Sequence, residues 1–133
     1  MAVGIDRSKL PTYTNKRAGQ CLIYQDNPGS TSYVLPTQHF YHMFNNCSKL
    51  EYMTLCIKYS TTYGSNTFQT MFQNATSMKY LFYDCSIKPG VSHSNWFNGV
   101  TTSGKLVAPS GGSWGLSTGV STYPSTWTFA TSE

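Results

Sequence analysis

Charge is scarce in this chain. Charged residues fill 11% of its 133 positions, against about 25% in typical globular domains. That shortage excludes a coiled coil and a Lys/Arg-rich disordered chain. What charge there is sits early: Arg7, Lys9, Lys16 and Arg17 against Asp6 put most of the net +4 within the opening arm. A nucleic-acid binder shows a broad basic face with interleaved aromatics. In this chain the aromatics lie where the basic residues do not, so nucleic acid is not an expected partner. Long apolar runs are missing as well. None approaches the roughly 18–20 residues of a membrane-spanning helix, and no membrane insertion is expected. The opening MAVGIDRSKLPTY lacks the apolar stretch of a signal peptide, which points away from export by that route.

Titratable chemistry is equally thin. Five acidic residues and three histidines are scattered along the chain, whereas an active site needs convergent groups. No GxSxG, HExxH or phosphate-binding glycine loop ending in Lys-Ser/Thr is present. His39 and His42 stand three apart with only Glu51 as a nearby carboxylate, and read as surface histidines. The expectation is no enzyme, no catalytic residue, no metal and no cofactor. Cys21, Cys47, Cys56 and Cys85 have no two-residue spacing, which disfavours zinc. A chain of this length can build its own core, so buried free thiols are the expected state, not an obligatory disulfide framework.

What is abundant is Ser and Thr, 17 of each, with 15% aromatics: the composition of a β-rich, polar but uncharged surface. The organisation is a repeat. FYHMFNNCSKLEYMTL at 40–55 returns as FQTMFQNATSMKYLFY at 68–83, a period of 28. Phe40, Met43, Phe44 and Cys47 fall at i, i+3, i+4 and i+7, and Phe68, Met71, Phe72 and Ala75 copy them. This predicts one face of a short helix in each unit, capped by Thr37 in the first and by Asn66 or Thr67 in the second. Leu50, Met53 and Leu55, then Met78, Leu81 and Tyr83, show the L-x-x-L-x-L strand pattern of leucine-rich repeats. One such unit cannot bury its apolar face alone and needs a stacked neighbour.

The predicted fold is α/β: a short leucine-rich-repeat-like solenoid of two to three helix–strand units, β-rich, with an N-terminal hairpin and an irregular C-terminal cap. Residues 1–19 read as an extended basic arm and 20–133 as one domain. The repeats run over about 37–64 and 65–92, with a degenerate third at 93–109 built on Trp96, Phe97, Val100 and Lys105–Val107. CLIYQ, a DNPGS turn and TSYVL make the hairpin over 21–35. In the arm, Arg7, Lys9, Lys16 and Arg17 can pair with carboxylates on a partner while Leu10 and Tyr13 supply apolar anchors. Tyr59, Tyr63, Tyr83 and Trp96, near the strand ends, are candidates for a ligand surface; the competing reading packs them into the turns between repeats. Asn46-Cys47-Ser48 and Asn74-Ala75-Thr76 match the glycosylation sequon, and the plainer reading is an Asn that ends a turn.

The run F-x-x-M-F-x-N-C/A-x-x-L/M-x-Y-M/L resembles the BspA-like leucine-rich repeats of bacterial surface proteins. Three tail motifs, carried by Trp96, Gly99 and Val100, by Ser103, Gly104, Leu106 and Pro109, and by Pro124, Trp127 and Thr128, resemble the closing module of such proteins in gut bacteria and their phages. The resemblance covers about residues 38–129. It implies a virion structural or surface protein without catalysis, such as a head fibre, decoration or tail-associated component. Its implied partners are other virion or surface-assembly proteins, with sister copies and a glycan as further classes. The virion is the implied location, with a bacterial cell surface or secretion as the alternative. A phage component needs no signal peptide. The rival function is an adhesin or receptor-binding module for a glycan or host surface protein.

Overall fold

A computed structural model of the chain describes residues 20–24, 33–58 and 60–132. Seven strands run in chain order: β1 (Gln20–Tyr24), β2 (Tyr33–Leu35), β3 (Tyr52–Cys56), β4 (Ser60–Tyr63), β5 (Tyr80–Tyr83), β6 (Gly104–Val107) and β7 (Trp127–Ala130). They form a β-solenoid of about four parallel turns. One wall is the parallel sheet β1-β3-β5-β6-β7, and a second is the parallel pair β2-β4. The predicted solenoid is present, and its helix–strand units are not. Among the described residues there is no α-helix, only two three-residue 3-10 turns at Val91–His93 and Gly111–Ser113. The predicted hairpin is also corrected. β1 and β2 do not pair with each other: β1 lies beside β3 and β2 beside β4, each in parallel, so a coil of chain separates every strand from its partner.

The stretches predicted as helices are ribbons of overlapping turns. In the first, Tyr41, Met43, Asn45 and Cys47 each donate their amide to the carbonyl three residues back. The amides between them point along the solenoid axis. Phe40, His42, Phe44 and Asn46 donate to Thr67, Gln69, Met71 and Gln73 of the next coil, and Phe68, Thr70, Phe72 and Asn74 to Ser92, Ser94, Trp96 and Asn98 of the one after. Alternate amides thus close a turn or join two coils, which satisfies the backbone without helix or strand. The ribbon needs a left-handed residue at every fourth position: His42, Asn46, Thr70, Asn74, Asn95 and Gly99 all have positive φ at the third place of a turn, the type II arrangement that favours Asn and Gly. Asn46, Asn74, Asn95 and Gly99 satisfy that preference. Thr70 does not, and its hydroxyl lies 2.7 Å from His42 Nδ1.

A period of four also aligns the aromatics. Phe40, Phe68 and His93 stack with ring centroids 5.3 and 4.5 Å apart, and Phe44, Phe72 and Phe97 with 6.0 and 5.6 Å. Opposite these columns the sheet sends Met53, Leu55, Leu81, Tyr83 and Leu106 into the same core, all fully buried. The other face of the sheet is closed too: Thr54, Cys56, Phe82 and Val107 are buried, as parallel sheets covered on both sides require. The predicted third unit exists as a turn ribbon over 93–100 followed by β6. The coils shorten along the stack. Partner strands are offset by 32 residues for Gln20/Tyr52, 28 for Tyr52/Tyr80, 25 for Tyr80/Lys105 and 23 for Gly104/Trp127. At the narrow end the Trp127 indole lies against Gly104, where a Cβ would collide with the ring.

Candidate functional site

The most polar point of the interior is in the third coil. The shorter register there places His93 where the preceding coils carry Phe40 and Phe68. His93 is fully buried, and its two nitrogens have separate partners. The Gly90 amide donates to Nδ1 at 3.3 Å, and Nε2 lies 2.8 Å from the Tyr83 hydroxyl. An amide can only donate, so Nδ1 is the acceptor and Nε2 carries the proton. The Tyr83 hydroxyl accepts from Nε2 and donates to the Ile87 carbonyl at 2.7 Å. Every polar atom of the chain Gly90–His93–Tyr83–Ile87 is used. Burial alone lowers the His93 pKa to about 3, because the cationic ring would lose its hydration with no carboxylate to replace it. Burial likewise drives the Tyr83 hydroxyl and the Cys85 thiol upward. The group is a neutral structural relay.

Asn46 and Asn74, the two sequon residues, form a column at the corner where ribbon meets strand. Asn74 Nδ2 donates to Asn46 Oδ1 at 3.1 Å. Gly99 takes the third place with φ +82°, and a Cβ there would run into Asn74 Oδ1. The asparagines therefore serve as left-handed turn residues bonded from coil to coil. Two ion pairs lie along the sheet wall. Lys58 pairs with the buried Asp84 at 3.2 Å. Lys79 pairs with Glu51 at 3.4 Å and lies 5.2 Å from the centre of the Tyr52 ring. Among the described residues no three metal-ligating side chains converge, and no helix is long and apolar enough to cross a membrane.

Among the described residues an uncharged cleft of about 310 Å³ lies at the narrow end, lined by Phe97, Gly99 and Val100 on one side and Val120, Pro124 and Ser125 on the other. It opens beside the last bond of the axial ladder, where the Phe97 amide reaches the Val120 carbonyl at 2.9 Å. Thr101 and Thr118 add hydroxyls.

Of the four aromatics predicted for a ligand surface, the structure brings two into the core. Tyr83 and Trp96 have no exposed surface; Trp96 packs between Phe72 and Phe97, and its Nε1 donates to the Thr122 carbonyl at 2.9 Å. Tyr63 is half-buried against Phe68, with its hydroxyl donating to the Ile57 carbonyl at 3.2 Å. The surface predicted from Tyr83 and Trp96 is therefore replaced by the packing role weighed beside it, and Tyr59 lies outside the described residues, as do Arg7, Lys9, Leu10, Tyr13, Lys16 and Arg17 of the arm. Cys47, Cys56 and Cys85 are free thiols. Burial raises the Cys56 pKa to about 12, with Asp84 adding to the shift. Sequence reasoning passed over His93, because the third coil is three residues shorter than the period that would have aligned it with Phe68. Comparison with protein-family models, with curated proteins and with solved structures finds no match.

Proposed function

We propose that the protein is a non-enzymatic structural module of a virion, a head fibre, decoration or tail-associated component, docked onto its assembly through residues 1–19. The observation that carries the non-enzymatic part is the fate of the buried polar groups. The Tyr83–His93 relay is the place where a buried acid–base pair could have been poised, and each of its atoms is consumed by a structural bond. The virion part rests on the sequence resemblance over residues 38–129 and on the concentration of basic residues in the arm. The test is a chain starting at residue 20. It is expected to fold, with an unchanged far-ultraviolet dichroism spectrum, and to lose co-sedimentation with purified particles that the full chain retains. Equal co-sedimentation would move the docking role from the arm to the solenoid.

The second reading, a receptor- or glycan-binding module, is favoured by the uncharged, hydroxyl-lined cleft at Phe97–Val120. A glycan-array signal lost on Ser125→Trp, which fills that cleft from an exposed position, would select it. The absence of any signal would leave the structural reading alone.

A further inference from the structure

The five-stranded sheet is closed to water on the face that turns away from the core. Side chains alternate across a strand. Met53, Leu55, Leu81, Tyr83 and Leu106 enter the core, so Thr54, Cys56, Tyr80, Phe82 and Val107 point the other way, and all five are buried. Tyr80, Phe82 and Val107 form an apolar cluster separate from the main core, with Tyr52 packed against it. Every member belongs to this sheet. Among the described residues, no apolar side chain from a ribbon, from β2-β4 or from the segment over 108–124 joins the cluster. Strand residues cannot close such a face by themselves, because their side chains stand side by side, roughly perpendicular to the sheet, with their tips outward.

The burial has a direction. In the row Thr54, Phe82, Val107 and Ala130, which pair from strand to strand, the first three are buried and Ala130 on β7 is half-buried. In the row beside it, Tyr80 is buried, Lys105 half-buried and Thr128 exposed. The cover therefore spans β3, β5 and β6 and lapses at β7, the strand farthest from β1.

Two stretches outside the described residues adjoin β1. Residues 25–32 join β1 to β2 with eight residues, where 57–59 join β3 to β4 with three. The surplus of five amounts to about 17 Å of chain, or roughly 8 Å out and back. Val107 on β6 lies three strand spacings from β1, about 14 Å away. Residues 1–19 have no return to make: they amount to about 65 Å of extended chain, and they end at Gln20, where β1 begins. They also carry Val3, Ile5, Leu10 and Tyr13. We propose that residues 1–19 dock across the outer face of their own sheet, with Leu10 and Tyr13 as the anchors over Tyr80, Phe82 and Val107. The burial of that face carries this inference, which does not depend on the virion reading. It refines the docking role given to the arm: the apolar anchors are engaged on the sheet, and Arg7, Lys9, Lys16 and Arg17 are left to meet an assembly.

The test is a thiol placed under the far part of the cover, by Val107→Cys, beyond the reach of residues 25–32. Its alkylation by iodoacetamide is read residue by residue. In the full chain the introduced thiol should react about as slowly as Cys85, which is buried in the core. In a chain starting at residue 20 it should react about tenfold faster or more, while Cys85 keeps its rate. An unchanged rate in the shortened chain overturns the inference. If Cys85 accelerates equally there, the fold itself has opened, and the full chain carrying Leu10→Asp and Tyr13→Asp decides. In that variant the introduced thiol alone should accelerate; an unchanged rate, or one matched by Cys85, overturns the inference. Protection should also be indifferent to dilution. Protection that fades on dilution, in step with a dimer dissociating in sedimentation, would make the covering arm that of a second copy and overturn the assignment to the same chain. Co-sedimentation with particles reads the assembly and alkylation reads the cover, so either proposal can fail alone.

Discussion

Acid should loosen this protein chiefly through one imidazole. His93 is neutral and buried in the folded chain, with a pKa of about 3 against 6.5 when solvated. Because the folded value is the lower one, the unfolded chain binds the extra proton between these limits. Stability attributable to His93 is therefore fully present above about pH 6.5 and is lost as pH falls toward about 3. Each pH unit inside that window costs about 1.4 kcal/mol. Between about pH 6.5 and 5, before most carboxylates titrate, the loss is roughly 2 kcal/mol; over the full window it approaches 5 kcal/mol, comparable with the whole stability of a marginal domain. Urea denaturation at a series of pH values measures the slope, and His93→Phe removes it. Phe extends the column of Phe40 and Phe68, leaving the Gly90 amide unpaired at about 1–3 kcal/mol. The variant starts lower but should lose far less between about pH 6.5 and 5, the remainder coming from His39, whose pKa partial burial also lowers. Should the Phe variant unfold, His93→Gln keeps a donor and an acceptor and gives the same comparison. Equal slopes for wild type and variant would mean that His93 protonates freely in the folded state, and the packing of the third coil described above would be wrong.

Three further outcomes test the stack. Phe72→Ala, at the centre of its aromatic column, should cost about 3–5 kcal/mol in chemical denaturation, and Phe44→Ala, only half-buried, distinctly less; equal losses would mean that Phe44 is enclosed as fully as Phe72. Gly104→Ala should lower the melting temperature sharply, since the added methyl meets the face of Trp127 and overpacking of this kind costs about 1–3 kcal/mol. In thiol alkylation of the folded chain read residue by residue, Cys47 should react before Cys56 and Cys85, whose thiols burial holds in the protonated form. Simultaneous reaction would place Cys56 or Cys85 at the surface.

The repeat was legible because its two main copies share a register. Tyr52 and Tyr80, identical in the sequence, are paired in the sheet, and the L-x-x-L-x-L spacing marks β3 and β5. The helices were misread for a definite reason. Phe40/Phe44 and Phe68/Phe72 are four apart, and a period of four satisfies a helix face and a turn ribbon alike. One feature discriminates. Asn or Gly fills a left-handed position in each ribbon, at Asn46, Asn74, Asn95 and Gly99, which a helix disfavours and a left-handed turn position welcomes. The hairpin over 21–35 was misassigned because local turn chemistry says nothing of which strand lies alongside. Tyr83 and Trp96, offered as a ligand surface, pack inside because the third coil closes over them.

The axial bonds of the ribbons have a mechanical consequence. Traction applied at the two ends of the stack loads the coils in series, so the weakest interface parts before the others share the force. Each coil occupies only about 4.8 Å of the axis, yet holds some 28 residues of contour, roughly 95 Å when drawn out. Releasing one coil would lengthen a tether by about 90 Å while the rest of the stack stayed closed. Such a module works as a stepwise extensible link, and single-molecule pulling should resolve steps of that size in place of one global rupture.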